Sequence, residues 1–301
     1  MNKNTKPIRL NPECVSCLIK KQIDNYPHWI TADERMDYMQ SLLRTVSDAP
    51  KTMSAPEIMD SIYKLRRKCF GPLKDYTKIK HYFNELMLDI LPKLSLELEL
   101  SAEPLIDAVR YAMTGNFIDF AAMDKVDEGK LAGFLTDAKN IPIDEQEYTA
   151  LKNDIANGKR LVYLTDNCGE IVLDKLLISV IRKINPELDI TIIVRGHDVV
   201  NDATLEDAEQ IGLTDELTVI GNGSTVAGTC LDLISTEAKA AIESADIIIS
   251  KGQGNFETLH KCGLNVYYIF MCKCDMFARR FNVPLYRGIL INDSSVRRLL
   301  S

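Results

Sequence analysis

The sequence lacks the features that mark exported, membrane-spanning or nucleic-acid-binding proteins. No run of apolar residues approaches the roughly 20 that a membrane-spanning helix needs. No early segment combines a basic start, an apolar stretch and a small-residue cleavage site, so we expect a cytoplasmic protein. No basic arm is present, and 36 Lys and Arg stand against 43 Asp and Glu for a net charge of −7. Neither a membrane nor a nucleic acid is therefore expected as a partner, and the oligomeric state stays open.

The cysteines are too sparse to form the framework of a small disulfide-bonded protein. Eight of them are spread over 301 residues, which favours reduced thiols or metal ligands. Cys14-x-x-Cys17 has the spacing of half a zinc site, and Cys272-x-Cys274 could supply the other half. The full spacing of a four-cysteine site is not evident, so buried free thiols are the competing interpretation.

The first half of the chain has helical spacing and no alternating strand pattern. Apolar residues recur at helical intervals from about residue 10 to 155, which predicts an all-helical domain over residues 1–155. Prolines interrupt this pattern and are predicted to mark helix boundaries. These prolines are Pro50, Pro56, Pro72, Pro92 and Pro104.

The second half alternates short β-rich runs with helical stretches. The runs are 161–165, 190–194, 217–220, 247–250 and 266–271, and an edge strand is expected at 288–292. This spacing of strands and helices predicts right-handed crossovers and a mainly parallel sheet. The predicted fold class is therefore α/β, with a Rossmann-like three-layer α/β/α domain over residues 156–301 beside the helical domain.

Two of the predicted strands are followed by residues suited to bind a metal ion. Asp166 and Asn167 follow the first strand, and Asp202 follows the second. Because the carboxyl ends of parallel strands share one edge of a sheet, these side chains are expected to converge. Carboxylate and amide oxygens suit Mg²⁺ or Mn²⁺ better than thiophilic metals. The competing interpretation is helix capping, since Asp and Asn are favoured caps.

A glycine-containing turn after the fourth strand is predicted to bind phosphate. In Lys251-Gly252-Gln253-Gly254-Asn255 the two glycines let backbone N–H groups approach an anion, and Lys251 supplies a positive charge. The turn is not a Walker A loop, whose glycine spacing is longer. Alone it is weak support for a phosphate site. Further candidates for contact with the substrate are Arg195, Asn116 and Glu170.

A metal beside one phosphate-binding turn, without a nucleotide-sized motif, predicts hydrolysis of phosphomonoesters. In this hypothesis the catalytic residues are Asp166, Asn167, Asp202 and Lys251. The Asp-x-Asp motif of phosphatases that form an aspartyl-phosphate is absent, so attack by a metal-activated water is favoured. Whether Asp166 is a ligand only or also a nucleophile stays open.

Taken together, these motifs resemble the metal-dependent damage-control phosphatase family, also known as domain of unknown function 89. The resemblance covers nearly the whole chain, and its early Cys-x-x-Cys is similar to the archaeal and bacterial branch. The matching segments are Cys14–Cys17, Gly115–Asp119, Asp166–Glu170 with Asp174, Arg195–Thr204, Lys251–Glu257 and Lys273-Cys274.

The resemblance implies a helical domain beside a Rossmann-like domain and a divalent metal held by Asp166, Asn167 and Asp202. The metal would be Mg²⁺, Mn²⁺, Co²⁺ or Ni²⁺. It also implies that Lys251 and the neighbouring backbone hold the phosphate of a small phosphorylated metabolite, such as a sugar phosphate or a damaged metabolite. Asp198 departs from the family pattern, which often has proline there. The physiological substrate is therefore left open.

Two hypotheses from other functional classes compete with the phosphatase. A Rossmann-like sheet could bind S-adenosylmethionine for carboxyl methylation, and the only turn resembling a cofactor loop is Gly221-Asn222-Gly223. A non-catalytic protein that binds a metal or a metabolite is the third hypothesis, with Cys14 and Cys17 in a structural or regulatory role.

Overall fold

The structure is a computed structural model that describes residues 10–119 and 127–299. The helices before the first strand are α1 (Pro12–Asp24), α2 (Ala32–Ser47), α3 (Ala55–Phe70), α4 (Thr77–Glu99), α5 (Pro104–Gly115), α6 (Glu128–Asp137) and α7 (Glu145–Asn157). The strands are β1 (Arg160–Leu164), β2 (Asp189–Val194), β3 (Thr218–Gly221), β4 (Ile247–Lys251), β5 (Val266–Met271) and β6 (Gly288–Asn292). The later helices are α8 (Glu170–Ile184), α9 (Leu205–Gln210), α10 (Thr236–Ser244), α11 (Gln253–Leu259), α12 (Asp275–Phe281) and α13 (Asp293–Leu299).

Local capping determines where several helices of the first half begin. Thr31 and Glu34 form a capping box at α2, and Ser54 and Glu57 form another at α3. Pro104 lies at the first turn of α5, where a missing N–H costs no hydrogen bond. Within the described part of the chain, no helix has the length and apolar character needed to cross a membrane.

One predicted helix boundary was wrong. Pro92 lies inside α4, which is 23 residues long and ends at Glu99. A proline inside a helix removes one backbone hydrogen bond and usually ends or kinks the helix. Here Met87, Leu94 and Leu98 on both sides of Pro92 are buried in the main hydrophobic core, so tertiary packing outweighs the local cost.

The six strands form one sheet in the order β3-β2-β1-β4-β5-β6. The first five strands are parallel, and β6 pairs antiparallel with β5. This confirms the predicted α/β class and the predicted edge strand. The order reverses beside β1, because the chain proceeds from β1 to β2 and β3 and then returns to β4 on the other side of β1. Ligand sites of such sheets lie at this reversal.

Alternating residues of the strands pack against helices on opposite faces of the sheet. Leu161 and Tyr163 of β1 belong to one core cluster, which includes residues of α4, α5, α7 and α8. Val162 and Leu164 belong to a second cluster, which includes residues of α10, α11 and α12. Because successive side chains of a strand point to opposite faces, this alternation produces the three-layer arrangement.

The hydrophobic clusters divide the helical half of the chain into two parts. Residues of α4 to α7, such as Met87 and Ala112, share one core with the sheet. Helices α1 to α3 pack around a separate cluster that includes Tyr38 and Leu42. The division into domains at residues 155 and 156 remains a prediction. The packing unit that lies apart from the sheet is the three-helix segment.

Candidate active site

The strand-end residues converge at the reversal of the sheet order. Asp166 follows β1, and Gly252 follows the neighbouring strand β4. Asn167 forms an isolated antiparallel bridge with Asp202, which belongs to the loop between β2 and α9. The predicted metal-binding set, Asp166, Asn167 and Asp202, is therefore assembled at one place although its members are up to 36 residues apart. All three line the same cavity.

The Asp166 carboxylate is held against a glycine and two amides. A side chain at Gly252 would overlap this carboxylate, and Gly252 also has φ +82°, a conformation that other residues rarely adopt. Asn116 Nδ2 and Asn167 Nδ2 donate to Asp166 Oδ2 at 2.9 Å and 2.7 Å. No cation of the described residues forms an ion pair with Asp166. Gly252 therefore provides room for the carboxylate, while its own N–H donates to the Ile269 carbonyl.

Asn167 does not cap the helix that follows. The N-cap of α8 is Gly169, with φ 69° and no side-chain capping bond. The Asn167 amide nitrogen donates to Asp166 and also to Glu170 Oε2 at 3.0 Å. This leaves the amide oxygen as the Asn167 side-chain atom suited to bind a cation. The capping interpretation of Asp166-Asn167 was therefore wrong.

Asp202 is oriented by Arg195 rather than by a helix end. Arg195 Nε donates to Asp202 Oδ2 at 2.6 Å, and Arg195 also donates to the Gly228 carbonyl. Thr204 begins α9 in a capping box with Asp207. Helix capping is therefore the role of Thr204, and Asp202 is left available as a candidate metal ligand. Arg195, predicted to contact substrate, is buried and is not among the residues that line the cavity.

Asn116 and Glu170 support the site from behind. Asn116 Nδ2 donates to Glu170 Oε2 at 2.9 Å as well as to Asp166, and Asn116 Oδ1 accepts from the Met271 N–H at 3.0 Å. Both Asn116 and Glu170 are fully buried. Contact of these two residues with substrate stays a prediction, and the hydrogen bonds that they make in the structure are with protein groups of the site. They position Asp166 and Asn167.

Lys251 does not reach the cavity, in contrast to the sequence prediction. Its side chain is fully buried, and its ammonium group lies 2.6 Å from both Glu170 and Asp174. The same group donates to the Ala112 carbonyl at 3.0 Å. An ammonium group has three N–H donors, so these contacts satisfy it completely. The assignment of Lys251 as phosphate clamp stays a prediction that this position does not favour, and in the structure Lys251 compensates two buried carboxyl groups.

Asn255 is also structural. Its amide nitrogen donates to the carbonyls of Thr165 and Lys251, and its oxygen accepts from the Thr229 hydroxyl. These contacts join the chain segments that follow β1, β3 and β4, and a phosphate contact of Asn255 stays a prediction. Gly254 does line the cavity, as predicted for the turn, and its close approach to the Ala227 carbonyl excludes a side chain.

Three lysines line the cavity within the described residues: Lys20 and Lys21 of α1, and Lys273, which follows β5 and interacts with the Asp166 carboxylate. Lys273 Nζ lies 2.5 Å from Asp119 Oδ2 and donates to the Asn116 carbonyl at 2.6 Å. The sequence motifs included Lys273 but gave it no role. The available signal was the position of Lys273 at the end of a parallel strand, two strands away from Asp166. The structure thus replaces Lys251 with Lys273 as the positive group at the site.

Burial controls the ionisation of these groups. Burial raises the pKa of Asp166 well above its usual value, and the Glu170 carboxylate raises it further. Burial also raises the pKa of Asp202, against the opposing effect of Arg195. Burial would lower the pKa of Lys273, but the Asp119 and Asp166 carboxylates reverse this effect and raise it. Lys273 is therefore an ammonium, while burial favours the protonated form of the two aspartates despite the nearby Lys273 and Arg195.

The donor set fits a hard divalent cation. No group of three or more His, Cys, Asp or Glu side chains in residues 10–119 and 127–299 could hold a metal by itself. The candidate ligands are the carboxylates of Asp166 and Asp202 and the amide oxygen of Asn167. Because Asn is not one of those four residue types, this set differs from such a group. Oxygen donors of this kind suit Mg²⁺ or Mn²⁺. A dication would also favour the ionised form of the Asp166 carboxyl group, against the effect of burial.

Comparison with known proteins identifies the family. The sequence profile of the damage-control phosphatase ARMT1-like domain matches residues 10–289. The chain belongs to this family. A damage-control phosphatase from Archaeoglobus fulgidus is 30% identical over 288 residues, which cover 92% of this chain and 96% of the relative. An uncharacterized protein from Methanocaldococcus jannaschii is 31% identical over 304 residues, which cover 94% of this chain and 95% of the relative.

A solved structure shows the same fold for another protein of the family. The crystal structure of a protein of the domain of unknown function 89 family from Pyrococcus horikoshii superposes with a TM-score of 0.77. The two chains are 26% identical, and the match covers 94% of this chain and 99% of that chain. The damage-control phosphatase fold thus extends over both the helices and the sheet.

The cavity of this damage-control phosphatase family member also contains thiols. It has a volume of about 550 Å³, and its lining includes Cys14, Cys17 and Cys274 as well as the metal-binding candidates. All eight cysteines of the chain are free thiols. Burial raises the pKa of Cys14 to about 12, so this thiol is protonated at neutral pH. The Cys-x-x-Cys segment therefore forms part of the cavity wall.

Proposed function

We propose that this protein is a metal-dependent phosphatase that hydrolyses small phosphomonoesters. The observation that supports the proposal most directly is the convergence of Asp166, Asn167 and Asp202 with Lys273 in one cavity. The name of the Archaeoglobus fulgidus relative, damage-control phosphatase, agrees with this chemistry. The substrate class that we infer is a small phosphorylated metabolite.

The chain's own residues would divide the work between metal binding and charge compensation. Asp166, Asn167 and Asp202 would hold the divalent cation, whose chemistry would be to polarise the phosphoryl group and to activate a water. Lys273 would offset the negative charge that develops on the phosphoryl oxygens. Asn116 and Arg195 would keep the two aspartates in place through the hydrogen bonds described above.

The geometry does not favour a methyltransferase. Its only cofactor-like feature was the turn Gly221-Asn222-Gly223, and this turn is filled by the protein itself. The backbones of Gly196 and Gly223 are so close that neither a side chain nor a ligand fits between them. The Asn222 oxygen accepts from the Gly196 and Ser224 N–H groups at 2.9 Å. The turn is therefore a packing contact between two loops.

Activity measurements with and without metal test the proposal. The purified protein should release phosphate from p-nitrophenyl phosphate and from sugar phosphates with added Mg²⁺, Mn²⁺, Co²⁺ or Ni²⁺, and not with excess chelator. Asp166→Ala should reduce the rate by at least about a thousandfold, because it removes a ligand of the cation. Asp89→Ala is the matched control, since Asp89 is exposed on α4, away from the cavity. Full activity of Asp166→Ala, or activity in chelator, would contradict the proposal.

A further inference from the structure

A second cavity adjoins the candidate active site and is predominantly basic. It has a volume of about 830 Å³ and lies between the end of α1, the second half of α3 and the start of α4. Lys21 of α1 and Asn25, which follows α1, line both cavities, so the two cavities adjoin at this end of the helix. Among the described residues, the ionisable side chains in its lining other than tyrosine are Lys21, Arg66, Arg67, Lys74, Lys80, Asp75 and Asp198.

Both acidic groups of this lining already have partners. Asp75 Oδ1 accepts from the Thr77 N–H at 2.8 Å at the start of α4. Asp198 is paired with Lys80 at 3.4 Å, and Lys80 is also paired with Asp207 at 2.8 Å. The remaining lining cations are therefore not compensated by these two acids. This is unusual in a chain whose net charge is −7.

Arg67 is the cation that is best placed to accept a ligand. It is exposed, and its guanidinium group has no hydrogen-bond or ion-pair partner among the described residues. Arg66, one residue earlier, is held by Gln22 Oε1 at 3.3 Å and by the Asn25 carbonyl. Arg66 therefore gives this wall a fixed positive charge, while Arg67 is able to turn toward an anion.

We propose that this basic cavity binds a second anionic group of the substrate, so that the preferred substrates carry a phosphate or a carboxylate in addition to the phosphate that is hydrolysed. The inference rests on the proposed phosphatase function. In this arrangement the alcohol part of the substrate, which is released when the phosphate is hydrolysed, lies at the cavity lined by Lys21, Arg66 and Arg67. An anion there would pair with Arg67, whose guanidinium group has no partner among the described residues, beside the fixed charge of Arg66.

Matched substrate pairs test the inference. Fructose 1,6-bisphosphate is compared with fructose 1-phosphate, and 6-phosphogluconate is compared with glucose 6-phosphate. The member with two anionic groups should have the higher kcat/KM in at least one pair, and the pair that shows the difference identifies a phosphate or a carboxylate as the second anion. Arg67→Gln should lower this kcat/KM about fivefold through KM, the effect of losing one partly exposed charged hydrogen bond. It should leave the single-anion member unchanged.

Lys68→Gln is the control with the same change in charge. Lys68 is the next residue on α3 and is exposed, but it does not line the cavity. Equal effects of Arg67→Gln and Lys68→Gln on both members of each pair would overturn the inference, as would a lack of preference for two anions in the wild type.

Calorimetry separates failure of the inference from failure of the proposed function. If no phosphate ester is hydrolysed, the phosphatase proposal fails. Binding of fructose 1,6-bisphosphate to the protein without divalent metal then tests the cavity by itself. Binding that is weakened by Arg67→Gln and not by Lys68→Gln would support the basic cavity as an anion site. No binding, or equal binding by the two variants, would overturn it.

Discussion

At the scale of single residues, two lysines at the ends of neighbouring strands have opposite roles. Lys251 ends β4 and is enclosed by Glu170 and Asp174, whereas Lys273 follows β5 and lines the cavity. Burial raises the pKa of Asp174 to about 7, although Lys251 opposes this effect. Without Lys251, two buried carboxyl groups would lack their positive partner. The first lysine therefore stabilises the fold, and the second belongs to the site.

Substitution of each lysine by methionine should separate these roles. Lys251→Met should lower the free energy of unfolding by about 3–5 kcal/mol, because a buried charge cluster loses its only shared cation. Lys273→Met should lower kcat by about two to three orders of magnitude. Lys273→Met should lower the free energy of unfolding less than Lys251→Met does, because the partner of Lys273, Asp119, lines the cavity. Denaturant unfolding and phosphatase assays on the same preparations measure both quantities.

The opposite pattern would restore the assignment made from the sequence. A Lys251→Met variant with wild-type stability and no activity would mean that Lys251 contacts the substrate. Lys64→Met on α3 provides a reference for loss of an exposed lysine, whose ion pair with Asp60 should contribute little to stability.

At the scale of secondary structure, the contact between α5 and α8 positions the site. Gly115 is the last residue of α5, and a Cβ there would lie 2.9 Å from Leu173 Cδ1 and 3.2 Å from Glu170 Cα. The missing side chain lets the two helices approach. Asn116, the next residue, can then reach Asp166 and Glu170.

Gly115→Ala should therefore impair both folding and activity. The added methyl group would push α5 away from α8 at a cost of about 1–3 kcal/mol, as overpacked cores show. The same shift would move Asn116 away from Asp166, so kcat should fall. Gly133→Ala in α6 is the matched control, because nothing lies within 4 Å of a Cβ at that position. That control should stabilise the protein by about 0.5–1 kcal/mol. Thermal unfolding and activity assays decide, and wild-type behaviour of Gly115→Ala would contradict the expectation.

At the scale of the whole molecule, the raised pKa values of Asp166 and Asp202 link stability to pH and to metal. Both pKa values are raised by burial above those of the unfolded chain. The folded protein without metal therefore has its full stability contribution from these groups at low pH. That contribution is lost as pH rises through the folded-state pKa values, because the buried groups must then ionise. A bound dication would oppose this loss.

The stabilisation by added Mg²⁺ or Mn²⁺ should consequently increase with pH. Metal binding requires the deprotonated carboxylates, so the rise in Tm on adding metal should be larger at about pH 8 than at about pH 6. Differential scanning fluorimetry with metal or with chelator measures the effect. Asp166→Ala should abolish the rise, and Asp89→Ala should retain it. An equal rise in all three proteins would show that the metal binds elsewhere.

Features that depend on neighbouring residues can be predicted from the sequence, whereas features that depend on long-range packing cannot. The strand at 266–271 was predicted at the bounds that the structure has, because continuous apolar residues suffice to indicate a buried strand. The convergence of Asp166 with Asp202 was also predictable, since parallel strands bring their carboxyl ends to one edge. Pro92 was misjudged because long-range packing of α4 overrides a local breaking signal. Helix α12 was not predicted from the sequence.

The sequence by itself determined the α/β sheet and the edge at which the carboxylates and amides meet. Those features depend on apolar periodicity and strand direction, which are properties of neighbouring residues. Only the tertiary structure decided that Lys251 is enclosed by Glu170 and Asp174 while Lys273 lines the cavity. Both lysines lie at or just after the end of a strand and carry the same charge, so the neighbouring sequence does not distinguish them. The difference arises because α8 brings two acids over the end of β4, whereas β5 ends beside the cavity.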